Sequence, residues 1–588
     1  MYLRHSTFHK NGKTHTYWRL VRSVRIGKKV RQETVAELGE LDSQGRMKAL
    51  ALAKRLGAEP QPRGLFDTPI DKEVAEVRLN AVALERVRRF GDVWLGTTLW
   101  SMAGLDRFFE ENLPEGKEDI AWAKMAEILT IARLCEPSSK LHIAEDWLRK
   151  TALADLLGVT EEKINENRLY RGMDKVLPLK EGLENYLKER WQTMFNVSYD
   201  LLLYDVTSTY FEGQAKRNPQ AKRGHSRDHR PDCKQVCIGL IVTRQGMPLG
   251  YEQFAGNVHD SKTVKAVVEK IEARYGKANR IWIWDRGMLS KDLASWMRKG
   301  GRRYIMGLPK SELRKHESVL AQTQGWTTVR DGVEVRYVPV TTEDGHPEQV
   351  LLVRSQDRRE KEAAMQTLFA ERIEQALERL NRRREKTKKA LDLTQVQRQV
   401  GRILQRNSRA AALFEIHCQA TTAHPSGVSL TWQCRLQEHA RQLLSQGCYA
   451  LATNIMDWTE GDVWKAYIQL TDVEDAFRMH KWQLQMRPIN HQKEDRTQAH
   501  ILICFLAYVL WKVMEQWQRQ AGLGNSPRTI LEELRHVHSG DIVLPTTTGE
   551  CIRLRRIVKP EKAQKIILER LGIRLPRRME IPELTRQM

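Results

Sequence analysis

The sequence has little cysteine and lacks the cysteine pairs that bind metals or form disulfide frameworks. Its eight cysteines are spread over 588 residues, and no two of them form a C-x-x-C motif. Disulfide-stapled secreted domains and zinc ribbons both depend on cysteines at short, regular spacings. We therefore exclude both classes and expect a chain that works in a reducing compartment.

Long apolar segments are also missing. The longest, Ile501 to Trp511, has 11 residues, whereas a helix needs about 20 to span a bilayer. The first residues, MYLRHSTFHKNGK, contain no apolar stretch of the kind that defines a signal peptide. We expect neither a membrane-spanning helix nor a signal peptide.

Acidic residues are scarce relative to basic ones. The chain has 74 Asp and Glu against 97 Lys and Arg, which gives a formal charge of +23 and a pI of about 9.6. Such an excess favours a polyanionic partner, because lysine and arginine neutralise phosphates and release condensed counterions. Nucleic acid is the predicted partner, and a basic protein that is merely soluble is the alternative.

The first sixty residues predict a small β unit. THTYWRLVRSVRI and KVRQETVAEL are joined near Gly27, and their alternation predicts a hairpin with one apolar and one basic face. The apolar face would carry Trp18, Leu20, Val24 and Ile26.

Composition and periodicity divide the rest of the chain. We predict a β unit at 1–56, a linker at 57–77, a helical, candidate DNA-binding domain at 78–197, an α/β core in two parts at 198–309 and 441–520, an insertion at 310–440 and a basic tail at 521–588. The core strands are LLLYDVT, VCIGLIVT, RIWIWD and YALATNI, and the insertion combines strands with a long charged helical stretch.

Two aspartates lie in or next to apolar strand candidates. Asp205 stands in the middle of LLLYDVT, and Asp285 ends RIWIWD just before Gly287. An unpaired carboxylate in such a place costs several kcal/mol or stays protonated. A capping or turn role is the alternative for either acid taken alone.

A third acid is predicted from helical geometry. Tyr467, Glu474 and Lys481 are spaced seven residues apart, and seven steps of about 100° return a side chain to within about 20° of its starting direction. Glu474 and Lys481 are therefore predicted inside the apolar stripe of this helix. The alternative is a structural ion pair between Glu474 and Arg478, at i and i+4.

Three carboxylates from two strands and one helix suit a hard divalent cation. Mg²⁺ and Mn²⁺ prefer oxygen ligands, and a pair of ions about 3.5–4 Å apart can activate a water or a 3′-hydroxyl while stabilising the leaving oxygen. The cation would supply the charge that compensates Asp205.

The order YDVTSTYFEG, GNVHDSKT, WDRGM and then Tyr467, Glu474 and Lys481 resembles the DDE transposases of bacterial insertion sequences. It is most similar to the insertion-sequence-1634 branch of the insertion-sequence-4 superfamily, over about residues 201–510 and in the N-terminal unit ending in AELGEL. The third family signature, Y-x2-R-x3-E-x6-K, departs at one position, where Leu470 replaces arginine. Arg478 is a candidate substitute.

The resemblance implies an α/β fold with an RNase H-like catalytic core, interrupted by a β-strand plus long-helix insertion and preceded by a β-hairpin unit and a helical domain. It implies that Asp205, Asp285 and Glu474 are the catalytic triad and bind Mg²⁺ or Mn²⁺, as two ions. Tyr467, Arg478 and Lys481 would contact DNA.

The implied activity is cut-and-paste transposition. Metal-dependent cleavage at the terminal inverted repeats would be followed by strand transfer into target DNA, by a homodimer in the DNA complex, in the bacterial cytoplasm at the nucleoid. A DDE-like nuclease without strand transfer and a non-catalytic DNA-binding protein are the alternatives.

One further metal pattern is discounted. His225, His229, Cys233 and Cys237 are spaced four apart, but Pro231 interrupts any helix and the order matches no usual zinc site. We interpret this basic loop as an element that contacts phosphate beside the active site.

Overall fold

A computed structural model describes residues 2–10, 13–26, 29–41, 45–46, 49–50, 77–197, 199–276, 280–288, 290–342, 344–546, 551–576 and 579. The predicted linker at 57–77 lies outside the described residues except for residue 77.

The strands are β1 (Tyr2–Lys10), β2 (Lys13–Ile26), β3 (Lys29–Glu40), β4 (Ala83–Arg89), β5 (Leu201–Tyr210), β6 (Gln235–Thr243), β7 (Pro248–Ala255), β8 (Ile281–Trp284), β9 (Arg303–Gly307), β10 (Thr327–Arg330), β11 (Val333–Thr341), β12 (Pro347–Ser355), β13 (Phe414–Ala420), β14 (Val428–Cys434), β15 (Cys448–Thr453), β16 (His538–Pro545) and β17 (Cys551–Ile557).

The α-helices are α1 (Gly91–Met102), α2 (Leu105–Asn112), α3 (Trp122–Cys135), α4 (Lys140–His142), α5 (Leu148–Lys150), α6 (Leu153–Leu157), α7 (Glu166–Val176), α8 (Lys180–Phe195), α9 (Asp260–Tyr275), α10 (Lys291–Lys299), α11 (Glu317–Leu320), α12 (Gln356–Lys386), α13 (Leu393–Arg406), α14 (Ser408–Ala411), α15 (Leu436–Ser445), α16 (Glu460–Ile468), α17 (Leu470–Arg478), α18 (Glu494–Gln520), α19 (Pro527–Leu534) and α20 (Lys562–Leu571). Short 3₁₀ turns include Arg286–Met288, and π-helical turns occupy Ile143–Trp147 and Met479–Gln483.

The chain folds into two compact α/β units. The first contains residues 1–10, 14–259 and 471–588, and the second contains residues 11–13 and 260–470. The predicted core strands at 201–207, 236–243, 280–285 and 449–455 are confirmed as β5, β6, β8 and β15.

The first unit holds antiparallel sheets and most of the buried helices. Strands β5, β6 and β7 lie side by side in that order, and β4 pairs with β16, which also pairs with β17. The stretch predicted to be helical at 78–197 therefore begins with a strand, β4, that the helical periodicity did not reveal. Its partner β16 lies more than 400 residues further along the chain, so no local pattern marks the pairing.

The N-terminal hairpin is confirmed, since β2 and β3 pair from Tyr17↔Glu40 to Ile26↔Lys29, and β1 extends the sheet. Leu20 and Ala36 pack against Ala563 and Ile566 of helix α20. The simple alternation of faces is wrong near Leu20, because the register shifts between Leu20 and Val21 and both are buried.

Helix α18 forms the centre of the first unit and packs against α3, α7 and α1. It is the one helix in the described part of the chain that is long and apolar enough to cross a membrane, but 94% of its most apolar window is buried inside the protein. A core helix of this kind is apolar on all sides because neighbours surround it.

The second unit contains a mixed sheet in the order β10-β11-β12-β15-β9-β8. Strands β8 and β9 are parallel, whereas β15 pairs antiparallel with β9 and β12. The insertion contributes β10–β12 to this sheet. Helices α12–α14 and the hairpin β13–β14 form a separate apolar cluster around Ile373 and Leu377.

One glycine fixes the packing beside Asp205. Gly239 of β6 lies opposite Val206, and a Cβ at this position would come within 2.7 Å of the Tyr204 ring. Tyr204 is fully buried, so a shift of its ring would disturb the close packing around it.

We expect Gly239→Ala to lower the free energy of unfolding by about 1–3 kcal/mol, because the added methyl overpacks the strand pair. Gly401→Ala is the matched control, since Gly401 lies in helix α13 with open space at its Cβ position, and alanine stabilises a helix by about 1 kcal/mol. Urea unfolding of both variants measures the difference. Equal stability of the Gly239→Ala variant and the wild type would contradict the packing argument.

Candidate active site

Asp205 is the fifth residue of strand β5, between Tyr204 and Val206. The residues from Leu201 to Thr209 are buried except Asp205, which is half-buried. Its Oδ1 accepts a hydrogen bond of 2.8 Å from the backbone N–H of Val206. The carboxylate is therefore held at the partly open point of a buried strand, as the sequence predicted.

Asp285 follows β8 directly and begins a 3₁₀ turn. Its carbonyl oxygen accepts a hydrogen bond of 3.1 Å from the N–H of Met288, which closes the turn. The side chain is half-buried, and its Oδ1 accepts a hydrogen bond of 3.1 Å from the hydroxyl of Tyr467. This donor fixes the orientation of the carboxylate.

Tyr467 lies on helix α16, which Thr459 caps by accepting a hydrogen bond from the N–H of Asp462. Burial raises the pKa of Tyr467, and the negative charge of Asp285 raises it further. The hydroxyl therefore stays protonated and remains a donor to Asp285. The structure gives it a carboxylate partner within the chain, and its predicted contact with DNA stays a prediction.

Glu474 lies on helix α17 and is exposed, so the prediction that it is inside a buried apolar stripe is wrong. Its neighbours at helical spacing, Leu470 and Phe477, are buried. The predicted single helix is in fact two, α16 and α17, followed by a π-helical turn, which disrupts a constant step of 100° per residue. Arg478, one turn beyond Glu474, is also exposed.

Lys481 lies in that π-helical turn and forms a buried ion pair. Its Nζ is 2.7 Å from Oδ1 of Asp228, and Arg487 contacts the same oxygen. Only 2% of the Asp228 side chain is exposed, against 10% for Lys481 and 15% for Arg487. One carboxylate thus faces two cations, and the cluster keeps a positive charge.

Burial lowers the pKa of Lys481, and the ion pair with Asp228 opposes this effect. Asp228 lies in the loop that contains His225 and His229, and sequence reasoning missed it because nothing local distinguishes this acid from its neighbour Asp232. No zinc cluster forms in this loop among the described residues.

Asp260 is a second residue without a predicted role. It begins helix α9 within the GNVHDSKT motif, and its Oδ2 lies 3.8 Å from the position that a Cβ on Gly287 would occupy. The acid therefore lies beside the turn that carries Asp285. The sequence signal that could have identified Asp260 is its position in GNVHDSKT, one of the motifs that carry the family resemblance.

The three predicted acids have the ligand type that a hard metal ion needs. Asp205, Asp285 and Glu474 offer carboxylate oxygens, which are the ligands that Mg²⁺ prefers. In the part of the chain that the structure describes, however, no group of three or more His, Cys, Asp or Glu side chains is placed to hold a metal ion. The donors fit a hard cation by type, and their assembly into one site stays a prediction.

Comparison with protein families identifies the class of protein. Residues 197–510, more than half of the chain, match the transposase DDE domain, so the chain belongs to the DDE transposase family and is a DNA transposase. Residues 3–62 match the N-terminal domain of IS1634 family transposases, which places it in the IS1634 branch and confirms the resemblance seen in the sequence. Enzymes with this domain generally use divalent metal ions.

No curated protein matches the chain. Among solved structures, the chain is similar to a piggyBac transposase synaptic complex with hairpin DNA, with 9% identity, a TM-score of 0.34 and coverage of 79% of this chain and 82% of the other. It is also similar to a Mos1 transposase paired-end complex, with 11% identity, a TM-score of 0.13 and coverage of 32% and 59%. These scores are too low to support an argument, and the family assignment rests on the domain matches.

We expect Asp228→Asn to destabilise the protein by about 3 kcal/mol or more, because it leaves Lys481 and Arg487 as buried cations without an anion. Asp232→Asn is the control, since Asp232 is 63% exposed in its pair with Arg230 and such surface pairs contribute about 1 kcal/mol or less. Chemical unfolding measures both variants. If both variants lost the same small amount of unfolding free energy, the Asp228 ion pair would contribute no more than a surface pair, which would contradict the prediction.

We expect Tyr467→Phe to slow DNA cleavage by about 10- to 100-fold, because the Asp285 carboxylate loses the donor that orients it. Tyr449→Phe is the control, since the Tyr449 hydroxyl accepts a hydrogen bond from Trp464 Nε1 and not from a group at Asp285. Cleavage rates and gel-shift affinities of the two variants would be compared. A Tyr467→Phe enzyme as fast as the wild type would rule out the orienting role.

Proposed function

We propose that this transposase cuts DNA at the ends of its insertion sequence and joins the freed 3′-hydroxyl groups to target DNA. Asp205, Asp285 and Glu474 would be the catalytic carboxylates. The observation that supports this most strongly is the position of Asp205, a half-buried acid in an otherwise buried strand within the matched DDE domain. Withdrawing a carboxylate from water costs free energy, and a bound cation would offset that cost.

The three carboxylates would hold one or two Mg²⁺ or Mn²⁺ ions. When bound, such ions lower the pKa of a water or hydroxyl nucleophile and stabilise the leaving oxygen. The carboxylate of Glu474 is exposed, so it could bind a metal ion when DNA is bound. Tyr467 would hold Asp285 in one orientation through its hydroxyl.

Positive charge that follows Glu474 in the chain would position the DNA backbone. Lys481 and Arg487 share one carboxylate and keep a net positive charge, and Arg478 is exposed one turn beyond Glu474. Phosphate contacts of this kind fix the register of DNA without reading its sequence. We also propose an RNase H-like core, which the mixed parallel and antiparallel strands around β8 and β9 support.

Cutting two ends of one element in concert requires two active sites, so we propose a homodimer in the DNA complex. The terminal inverted repeats and the target would be its double-stranded DNA partners. The absence of cysteine pairs and the net positive charge support work in the bacterial cytoplasm at the nucleoid.

We expect Asp205→Asn, Asp285→Asn and Glu474→Gln each to reduce DNA cleavage by about 100-fold or more, because each removes a charged ligand worth several kcal/mol in the transition state. DNA affinity should change little. The measurement is a plasmid excision assay in Mg²⁺ with the element's own ends, with gel shifts in parallel. Asp357→Asn is the control, since Asp357 is a 70% exposed carboxylate on helix α12.

A triad variant that still excises would remove that residue from the proposal. Wild-type cleavage without joined products would identify a nuclease instead of a transposing enzyme. Binding without cleavage by any of the proteins would identify a non-catalytic DNA-binding protein.

A further inference from the structure

A cluster of basic side chains is buried in the first unit, where helices α3, α7 and α18 pack together. We define the basic cluster as Arg133, Lys140, His491, Arg496 and His500. Arg133 is 6% exposed, Lys140 3% and His500 5%, so more than nine-tenths of each is buried. His491 and Arg496 are half-buried and lie nearest solvent.

Hydrogen bonds and ring contacts hold the members of the basic cluster in place. Arg133 Nη1 lies 3.4 Å from the carbonyl oxygens of Leu484 and Gln485, and His500 Nε2 lies 3.1 Å from that of Met486. The rings of His491 and His500 are 5.2 Å apart. Two members, Arg133 and His500, are thus fixed around one turn of the chain, 484–486, and His491 contacts the ring of His500.

Among the described residues, the buried part of the basic cluster has no acidic partner. Arg496 pairs with Asp174 at 2.7 Å, near the surface, and the half-buried Glu166 raises the pKa of Tyr170, over which Arg496 stacks. Lys140 forms no ion pair with any described residue. Burial, with the charges of Arg133 and Arg496, lowers the pKa of Lys140 to about 7.

The two histidines are affected in the same way. Burial and the neighbouring cations lower the pKa of His491 to about 3 and that of His500 well below its usual value. Every charged side chain that shifts these pKa values is a cation. The His500 Nδ1 atom is also buried and has no hydrogen-bond partner among the described residues.

A second buried lysine shows what is normal in this fold. Lys512, on the same helix as His500, is 5% exposed and pairs with Glu515 at 2.7 Å. Buried cations are generally paired, and buried polar atoms are generally hydrogen-bonded. Lys140 of the basic cluster, unlike Lys512, lacks an anionic partner among the described residues.

We propose that the basic cluster is a binding site for a phosphate-type oxyanion, which accepts hydrogen bonds from Arg133 and Lys140. A guanidinium and an ammonium donate charge-assisted hydrogen bonds to several oxygens of one phosphate. The ligand is either free inorganic phosphate or a phosphodiester of the DNA backbone that reaches the cluster past His491 and Arg496. Binding of a DNA phosphodiester rests on the proposed function. Binding of free phosphate does not, because it is measured without DNA.

The test compares thermal unfolding of the full-length protein in sodium phosphate and in sodium chloride at equal ionic strength. We expect saturating phosphate to raise the Tm of the wild type by about 2 °C or more. Lys140→Met should lose this rise, while its Tm in chloride stays equal or higher because a buried charge is removed. Lys512→Met is the matched control and should keep the rise.

Arg133→Gln is a second variant that removes the guanidinium and should reduce the rise. The two sources are then separated by the salt dependence of DNA binding. If a DNA phosphate occupies the site, Lys140→Met lowers the slope of log K against log salt by about 0.9. If the slope is unchanged while the phosphate effect on Tm is lost, the site binds the free anion.

Absence of a phosphate-dependent rise in the wild type would overturn the proposal. So would a full rise in Lys140→Met. Either result would leave the proposed transposase function untouched, because that function is tested by excision and joining.

Discussion

The structure depends on one constraint, that a charged side chain withdrawn from water needs an opposite charge or a hydrogen bond. Arg555 meets it with Asp541 between strands β16 and β17, and Lys512 meets it with Glu515 on helix α18. Near the signature lysine, Asp228 meets it with two cations at once. A charged side chain that is buried in this fold therefore has a partner of opposite charge or is a candidate to bind one.

This constraint connects the catalytic proposal with the anion site. Asp285 is half-buried and accepts a hydrogen bond from the Tyr467 hydroxyl, while Glu474 is exposed. The basic cluster shows the opposite situation, with buried cations and, in the part of the chain that the structure describes, no ion pair at Lys140. Carboxylates suited to cations and cations suited to phosphate are the two requirements of an enzyme that cuts a polyanion with metal ions.

The sequence predicted the core strands and Asp205 because apolar runs are local signals, and it predicted the family because several short motifs occur in one order. It failed where distant parts of the chain decide the outcome. Strand β4 pairs with β16 near the other end of the chain, and Asp228 pairs with Lys481 across 253 residues. The exposure of Glu474 was missed because the predicted helix is interrupted after Ile468 and becomes a π-helix at Met479, so a constant angle per residue does not apply.

The central claim is that Asp205, Asp285 and Glu474 act on one reacting phosphate through shared cations. Its most direct test is a structure of the protein bound to DNA from one element end in Ca²⁺, in which oxygen–cation distances of about 2.3–2.6 Å identify the ligands. We predict that carboxylate oxygens of all three residues bind the same cation or pair of cations beside the scissile phosphate. Cations held beside that phosphate by other residues, without Glu474 or either aspartate, would contradict the claim.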